Sequence, residues 1–426
     1  MRRVMEKVGQ GKKKRVLKPV AVLSREEYQG LEVNGRVEAI QSLMQLGLMA
    51  VQEEMEREVE HLAGALRSRV PHGKDLVRYG SNPGSVKLAG QRVGIRVPRV
   101  RNQPRGSEVP LESYQKFRQQ SGEVQEQLVK QVLYGLSCRN YESASQKLPE
   151  AIGMSASSIS REFIEATAQR LKEFQQRDLS GLDLVALWLD GKSFAEDTLV
   201  IAVGLTMQGE KIPLGFVQAG TENESVLGAF LEELIHRGLQ VEQGLLVVLD
   251  GGKGLRAAVK KVFQHRALVQ RCQWHKRENV VGYLAKSEQS AMRKKLQRAY
   301  EKATYTEART ELNRILKSLQ QTNLSAAKSL QEGLEETLTL HRLGCFTKVG
   351  ISLKTTNGIE SLLSQVERYC RKVTYWKNSS QKQRWLASAL MDIEPRLNRV
   401  KGYQHLRLLR EAIQKELNIS RQIQVA

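Results

Sequence analysis

The pattern of apolar and polar positions changes several times along the chain, and each pattern predicts a different kind of element. Residues 36–68 repeat apolar side chains at three- and four-residue intervals, which predicts one or two helices. Residues 79–101 alternate instead, around an Ala-Gly-Gln turn, so they are expected to form a two-stranded hairpin. Its inward-facing side chains would be those of Val86, Leu88, Val93, Ile95 and Val97.

Residues 124–170 contain three segments with helical patterns. Gly153 would end the second segment and Ser155 would cap the third. This spacing is typical of a helix-turn-helix in which the third segment is the recognition helix. A simple three-helix connector has the same pattern, and the sequence leaves that alternative open.

Residues 182–270 alternate between apolar runs of strand length and amphipathic segments, which predicts an α/β sheet. Strands are expected at 184–190, 198–206, 212–218, 245–249 and 267–270, and helices at 224–237 and 253–264. Three strands with short loops, followed by helix, strand, helix and strand, is the element order of a ribonuclease H-like sheet. Residues 273–343 are then almost continuously helical, and residues 380–418 are helical and basic.

Two of the apolar runs end at an aspartate. Asp190 closes LDLVALWLD and Asp250 closes GLLVVLD, and strand ends in an α/β sheet usually face a functional edge. Glu360 comes much later, in TTNGIES, at the expected start of another helix. Three such carboxylates, if they converge, can hold two magnesium ions, or manganese in their place, for phosphoryl transfer.

Each carboxylate also has a purely structural interpretation. Glycine follows both aspartates, so either one alone is also expected as a turn residue or a helix cap. Asn357 and Glu360 have the spacing of a capping box, with Glu360 at the third helical position. Capping and metal binding are compatible, because a first-turn glutamate can point out of the start of its helix.

The balance of charge narrows the choice of partner. The 426 residues include 67 Lys and Arg against 46 Asp and Glu, a formal net charge of +21. This excess favours a polyanion, which for an acidic phosphoryl-transfer site means nucleic acid; an ordinary basic protein is the simpler alternative. No stretch approaches the ~20 apolar residues of a membrane span. Because the N-terminus is polar and basic, a cytoplasmic, nucleoid-associated location is expected.

Polar and basic residues in three regions are candidate DNA contacts. On the hairpin they are Lys87, Arg92, Arg96 and Arg99. On the expected recognition helix they are Ser157, Ser158 and Arg161, and Lys253 follows the second aspartate. Near the C-terminus, where basic and aromatic side chains interleave, they are Arg368, Arg371, Lys372, Trp376, Lys377 and Arg384. A solvated sheet face, or a charged helix face with its aromatics in the core, would account for the same residues.

Cys272 and His275 follow the last expected strand of the sheet. With His341 and Cys345 they could form a zinc site, although the two halves are far apart in the sequence. A structural hydrogen-bonding role or a DNA-facing role is the alternative. The GGKG sequence at 251–254 lacks the spacing and the Lys-Ser/Thr pair of a P-loop, so no nucleotide cofactor is expected.

Several motifs, in this order, resemble those of the bacterial transposases of the Mutator-like insertion-sequence group. They are YGSNPGSV at 79–86, LDG at 189–191, VLDGGKG at 248–254, RCQWHKREN at 271–279, TTNGIES at 355–361 and RW at 384–385. The resemblance implies a DDE-type catalytic core with a ribonuclease H-like fold. Asp190, Asp250 and Glu360 match its acidic triad, and Cys272 and His275 match a signature near the site. The long stretch before Glu360 matches an all-helical insertion.

The expected architecture is an α/β ribonuclease H-like core interrupted by an all-α insertion and preceded by a mainly helical DNA-binding region with a helix-turn-helix. The expected segments are a basic flexible arm at 1–35, helices and the hairpin at 36–122, the helix-turn-helix at 123–178, the first part of the core at 179–272, the insertion at 273–350, and the second part of the core with basic C-terminal helices at 351–426.

The resemblance also implies a reaction and its partners. Such an enzyme binds the terminal inverted repeats of an insertion sequence, cleaves double-stranded DNA and transfers a strand to target DNA, with two magnesium ions. Because two DNA ends must meet, a homodimer or a higher homo-oligomer is expected. A non-catalytic DNA-binding regulator with the same fold, or another ribonuclease H-like nuclease, is the alternative.

Overall fold

The computed structural model describes residues 22–42, 44–66, 75–88, 91–119, 122–135, 152–153, 156–194, 197–219, 223–371, 373 and 375–419. The chain divides into two compact units, Met1–Ala166 and Thr167–Ala426. Each unit has its own hydrophobic core.

In the first unit, a long helix packs against a small antiparallel sheet. The described elements are α1 (Arg25–Gly30), α2 (Val33–Ser42), α3 (Met44–Ala63), β1 (Leu76–Leu88), β2 (Gln91–Asn102), β3 (Ser107–Val109), α4 (Glu112–Arg118), α5 (Gly122–Leu133), β4 (Ile152–Gly153) and α6 (Ala156–Gln175), which continues into the second unit. β1 and β2 pair antiparallel, which confirms the predicted hairpin. Its inward side chains Val86, Val93, Ile95 and Val97 are buried in one cluster with Leu48 of α3.

The described part of the predicted flexible arm at 1–35 contains α1 and the start of α2, and the flexibility of the arm stays a prediction. A capping box starts α1. Ser24 Oγ accepts from the N–H of Glu27 at 3.1 Å, and Glu27 Oε2 accepts from the N–H of Ser24 at 2.7 Å. These reciprocal bonds satisfy backbone donors that the first turn leaves unpaired. The basic cluster of the predicted arm lies outside the described residues.

Two of the three segments of the predicted helix-turn-helix are helical, namely α5 and α6. The middle segment falls mostly on 136–151, outside the described residues. Gly153 was expected to end a helix, but it lies in β4, because Ile152–Gly153 pair with Gln91–Arg92 at the edge of the hairpin. The helix-turn-helix therefore stays a prediction.

The second unit is built on a five-stranded mixed sheet. Its strands and the helices between them are β5 (Leu184–Phe194), β6 (Asp197–Thr206), β7 (Lys211–Ala219), α7 (Glu224–His236), β8 (Leu245–Leu249), α8 (Lys253–Phe263) and β9 (Ala267–Arg271). The strand order is β7-β6-β5-β8-β9. β5, β6 and β7 are antiparallel, whereas β8 and β9 run parallel to β5. All five strands overlap the strands predicted from the sequence.

The remaining chain of the second unit is helical. The helices are α9 (Gln273–Val281), α10 (Lys286–Tyr300), α11 (Tyr305–Thr322), α12 (Leu324–Gln331), α13 (Leu334–Thr337), α14 (Thr339–Arg342), α15 (Phe346–Leu353), α16 (Asn357–Cys370), α17 (Ser379–Ile393) and α18 (Leu406–Glu416). Helices α9 to α12 share a separate cluster of buried side chains. In the described residues, no helix combines the length and the apolar character needed to cross a membrane.

Both faces of the central strand β5 are covered, which explains its continuous apolar run. Leu187 and Leu189 lie in the cluster that includes α7 and α8. Ala186 and Trp188 lie in the opposite cluster, with α16 and α17. Because side chains alternate along a strand, Asp190 follows Trp188 onto the face covered by α16.

Candidate active site

The two aspartates follow the last paired rung of two neighbouring parallel strands. Leu189 and Leu249 form this rung between β5 and β8, so Asp190 and Asp250 are the next residues along. The expectation that Asp190 ends its strand is wrong, since β6 keeps pairing with β5 as far as Phe194. β8 stops at Leu249. The sheet therefore narrows where the two carboxylates meet.

Backbone amides fix one oxygen of each aspartate. The N–H of Gly191 donates to Asp190 Oδ1 at 2.9 Å, and the N–H of Gly252 donates to Asp250 Oδ1 at 3.0 Å. Gly251, between Asp250 and this donor, has a φ of +106°, a conformation that glycine adopts without a steric penalty. The turn after β8 thus orients the Asp250 carboxylate.

Glu360 reaches the site from the first turn of α16. The structural alternative, a capping box with Asn357 as the cap, is wrong, because Thr356 is the N-cap and Asn357 already lies inside the helix. The N–H of Glu360 donates to the carbonyl of Thr356 at 2.9 Å. Thr356 Oγ1 in turn donates to Glu360 Oε1 at 2.5 Å. A fully buried hydroxyl therefore orients the third carboxylate.

Asp190 lies within electrostatic range of the other two acids. Asp190 is only 8% exposed. Burial, followed by the negative charges of Asp250 and Glu360, raises the pKa of its carboxyl to about 7, although His275 and the Gly191 amide oppose the shift. A buried carboxyl with two acidic neighbours carries a cost that a cation would relieve. Perturbed groups of this kind cluster at functional sites.

His275 and Cys272 form a pair at the edge of this acidic group. Hydrogen bonding with Cys272, and the charges of Cys272, Asp250 and Glu360, raise the pKa of His275 to about 9 against the opposing effect of burial. Burial raises the pKa of the Cys272 thiol, but hydrogen bonds with His275 and Thr356 outweigh it, so the pKa is lowered overall. His275 Nε2 lies 4.0 Å from Glu360 Oε1. The imidazole of His275 therefore interacts both with the Cys272 thiol and with the carboxylates of Asp250 and Glu360.

The zinc alternative does not form in the described residues. His341 Nε2 lies 3.2 Å from the carbonyl of Tyr300 and 3.0 Å from that of Lys302. Its ring stacks on Phe346, with centroids 3.7 Å apart. Cys345 Sγ donates to the carbonyl of Leu343 at 3.4 Å. His341 and Cys345 are therefore engaged in packing and backbone contacts of their own.

Comparison with known proteins decides the family. The profile of a family described as "Transposase, Mutator family" matches residues 20–399. The chain belongs to the Mutator family of transposases. The resemblance seen in the sequence motifs is thereby confirmed.

Individual transposases of insertion sequences are similar over most of their length. The transposase of IS256 in transposon Tn4001 from Staphylococcus aureus is 27% identical over 322 residues, covering 71% of this chain and 78% of the relative. The transposase of ISRM5 from Rhizobium meliloti is 26% identical over 337 residues, with coverages of 77% and 82%. The transposase of IS6120 from Mycolicibacterium smegmatis is 28% identical over 252 residues, covering 57% of this chain and 75% of that protein.

On the hairpin of this transposase, two of the four predicted DNA contacts pair with carboxylates of the same unit. Lys87 Nζ lies 2.5 Å from Glu162 Oε1, and Arg99 forms an ion pair with Glu108. The two that stay exposed are Arg92 and Arg96. The hairpin therefore offers fewer charges to a phosphate backbone than its sequence suggests.

The candidate contacts on α6 lie in its first two turns. Ser157 and Arg161 are exposed, and Arg161 Nη2 lies 3.4 Å from Ser158 Oγ. Lys253 is also exposed, as the first residue of α8 and three positions beyond Asp250. These side chains face solvent, as a DNA contact requires.

Near the C-terminus, the predicted DNA-contact residues separate into an exposed group and an internal one. The exposed members are Arg368, Arg371 and Lys377. Arg384 is only 7% exposed and its Nη1 donates to Thr167 Oγ1 at 3.0 Å, so the prediction that it contacts DNA is wrong for this structure. Trp376 is half-buried and packs edge-to-face with Trp385, at a centroid distance of 6.2 Å. Lys372 lies outside the described residues.

Sequence reasoning missed four residues that hold the site together. Thr356 orients Glu360, and Gly358 lets the start of α16 approach Trp188. Arg271 and Lys276 are buried cations; Arg271 donates to the carbonyl of Gly251 in the loop after Asp250, and Lys276 donates to carbonyls at the end of α12. The signal was present in the RCQWHK motif, where an arginine closes an apolar strand and a lysine follows in the next helix.

Proposed function

We propose that this transposase is a DDE-type enzyme in which Asp190, Asp250 and Glu360 are the catalytic acids. It would hydrolyse phosphodiester bonds at the ends of its insertion sequence and join the released 3′-hydroxyl to target DNA. The observation that carries the proposal is the parallel register of β5 and β8, in which Asp190 and Asp250 directly follow the paired residues Leu189 and Leu249. In support, burial and the charges of Asp250 and Glu360 raise the pKa of Asp190 to about 7. Neighbouring carboxylates can bind cations, whereas in a protein that only binds DNA they would repel the phosphates.

The proposal includes a ribonuclease H-like core. Its support is the mixed sheet in the order β7-β6-β5-β8-β9, with three antiparallel strands followed by two parallel ones. The helices α9 to α14 lie in the sequence between β9 and the helix that carries Glu360, which fits an all-α insertion. Asp190 and Asp250 directly follow the parallel pairing of β5 with β8, and α/β sheets usually place their functional sites at the carboxyl ends of such strands.

Oxygen donors from the three acids fit hard divalent cations, and we propose two magnesium ions, with manganese as a substitute. In the described residues, no three His, Cys, Asp or Glu side chains form a ready-made metal site. The fit rests on Asp190, whose ionised form is disfavoured by burial and by the charges of two acidic neighbours, a cost that a bound cation would reduce. Two bound ions would supply activation of the attacking water or 3′-hydroxyl and stabilisation of the leaving oxygen.

The chain's own groups hold the acids in place. The amide of Gly252 holds Asp250, and the hydroxyl of Thr356 holds Glu360. His275, whose pKa is raised to about 9, places positive charge 4.0 Å from Glu360. These contacts pre-organise the carboxylates, so that less reorganisation is needed when the substrate binds.

The partner in this proposal is double-stranded DNA, as terminal inverted repeats and as target. A net charge of +21 supports a polyanionic partner. The proposed contacts are the exposed basic side chains of the hairpin and α6, with Lys253, Arg368, Arg371 and Lys377. Because both ends of the element must be held together, we propose a homodimer or a larger homo-oligomer on DNA.

The experiment that tests this function is a magnesium-dependent cleavage and joining assay on DNA that carries the ends flanking the coding region. Asp250→Asn is assayed beside the parent, with DNA binding measured for both. We expect cutting and joining by the parent alone, and equal binding. Binding without cutting by the parent, in magnesium and manganese alike, would favour the non-catalytic regulator. Cutting of branched DNA without joining would favour another nuclease.

A further inference from the structure

Arg271 is a buried arginine at the end of the outer strand β9, directly beside the loop that carries Asp250. It pairs with Leu249, the residue before Asp250, in the parallel register of β8 and β9. The next residue, Cys272, donates its N–H to the carbonyl of Leu249 at 2.8 Å. The side chain of Arg271 is only 5% exposed, so the guanidinium is an internal group.

The guanidinium of Arg271 binds two segments that are distant in the sequence. Its Nη2 donates to the carbonyl of Gly251, within the catalytic turn, at 3.2 Å. Its Nη1 donates to the carbonyl of Glu332, after the last residue of α12, at 3.2 Å. Nη2 also lies 3.6 Å from Glu332 Oε2. The planar fork of arginine can hold both segments at once, which a lysine ammonium cannot reproduce.

Two glycines make room for this contact. A Cβ at Gly251 would lie 2.0 Å from Arg271 Nε, and a Cβ at Gly333 would lie 2.4 Å from Arg271 Nη1. Both have positive φ angles, +106° and +68°. The guanidinium therefore lies against two glycine backbones, one in the catalytic turn and one directly after α12 in the helical insertion.

A second buried cation fixes the insertion side of the contact. Lys276 Nζ donates to the carbonyl of Ser329 at 2.7 Å and to that of Glu332 at 2.6 Å. These carbonyls lie at the C-terminal end of α12, where the helix dipole favours a cation. The carbonyl of Glu332 thus accepts from Lys276 and from Arg271, and the end of α12 is held firmly against the first turn of α9.

From this geometry we infer that Arg271 is a positioning residue that fixes the Asp250 turn relative to the helical insertion. Its side chain acts through the carbonyls of Gly251 and Glu332. The carbonyl of Gly251 and the N–H of Gly252 belong to the same peptide group. By holding this carbonyl, Arg271 also fixes the direction of the N–H that donates to Asp250 Oδ1. A movement of the insertion, for example when it meets DNA, would pass through Arg271 to the Asp250 carboxylate. The inference rests on the proposed function for the role of Asp250.

The test compares Arg271→Lys with the parent, without DNA or turnover. Hydrogen–deuterium exchange of residues 250–256 is measured in the metal-free protein, and binding of Mn²⁺ is measured by calorimetry. We expect faster exchange in that segment and about a 10-fold or greater loss of Mn²⁺ affinity, the usual cost of removing a group that supports a metal ligand. Arg314→Lys is the matched control, since it makes the same exchange at an exposed arginine of α11, which pairs with Glu311, and it should behave as the parent.

Gly333→Ala approaches the same contact from the insertion side, and we expect it to shift both quantities in the same direction. Parent-like exchange or parent-like Mn²⁺ affinity in folded Arg271→Lys would overturn the inference, as would an equal effect of Arg314→Lys. If the parent itself binds no Mn²⁺, the proposed function fails separately. The exchange of residues 250–256 then decides the inference alone.

Discussion

Gly358 packs directly against the indole ring of Trp188: a Cβ at position 358 would lie 2.6 Å from Trp188 Cζ2. Trp188 is fully buried in β5, two residues before Asp190, and Gly358 is two residues before Glu360. This close approach of helix and strand therefore sets the separation between two of the acids.

Gly358→Ala should push the start of α16 away from β5 and move Glu360 out of position. We expect DNA cleavage to slow by about 100-fold, roughly 3 kcal/mol of activation free energy, with a modest drop in melting temperature. Cleavage rates and thermal melts test this expectation. Gly181→Ala is the control, because nothing lies within 4 Å of a Cβ built there; equal rates for the two variants would contradict the account.

Asp190 should make the stability of the metal-free protein depend on pH. Its pKa rises from 3.8 in the unfolded chain to about 7 in the folded protein, so the folded protein retains the proton between these values. Its contribution to stability is complete below pH 4 and is lost as the pH rises through 7, by up to ~1.4 kcal/mol per pH unit.

Asp190→Asn removes this titration, so its melting temperature should exceed that of the parent at pH 8 and change less between pH 5 and pH 8. Thermal melts in chelator measure both quantities. Identical pH profiles for parent and variant would show that folding does not raise the pKa of Asp190.

Thr356→Val should slow catalysis without weakening DNA binding. The substitution keeps the size of a fully buried side chain but removes the hydroxyl that donates to Glu360 Oε1 at 2.5 Å. We expect about a 10-fold loss of rate, roughly 1.4 kcal/mol, close to the lower limit of the ~1.5–3 kcal/mol that a hydrogen bond to a charged group contributes. Thr355→Val controls for a change of threonine nearby, and a similar loss in both variants would argue against a specific role for Thr356.

Arg384 and Arg371 should respond differently to replacement by alanine. Arg384 is buried and donates to Thr167, so Arg384→Ala should lower the melting temperature. Arg371 is exposed, so Arg371→Ala should leave melting unchanged and weaken DNA binding at low salt, with a salt slope reduced by about 1. Binding measured over a range of salt concentrations, beside melts, separates the two. A folded Arg384→Ala with a reduced salt slope would restore the DNA-contact interpretation.

The strands of the sheet could be predicted because each one contains a continuous run of apolar residues in the sequence. The run of β8, for example, has to be apolar on both faces, and its limits at 245–249 follow directly from the sequence. Asp190 and Asp250 stood out for the same reason, as acids that end apolar runs, whereas Glu360 was identified by its place in the TTNGIES motif. The course of β5 beyond Asp190 could not be predicted, since it depends on how far β6 continues to pair.

Partners that are distant in the sequence account for the other differences. Lys382 and Arg384 look like surface charges, but they are buried against Asp197 and Thr167. Thr356 and Asn357 are both good capping residues, and the choice between them depends on the backbone angles where α16 begins. The contacts of Arg271 join β9, the catalytic turn and the end of α12, which no local pattern could reveal.

The most direct test of the catalytic triad is strand joining of a pre-cut element end in magnesium. Asp190→Asn, Asp250→Asn and Glu360→Gln are each compared with the parent and with Glu367→Gln. Glu367 is an exposed residue of α16, the helix that carries Glu360, and it pairs with Lys192. The account predicts a loss of at least about 1000-fold, roughly 4 kcal/mol, for each triad variant, with DNA binding retained and Glu367→Gln close to the parent. Joining at the parental rate by any one of the three would contradict it.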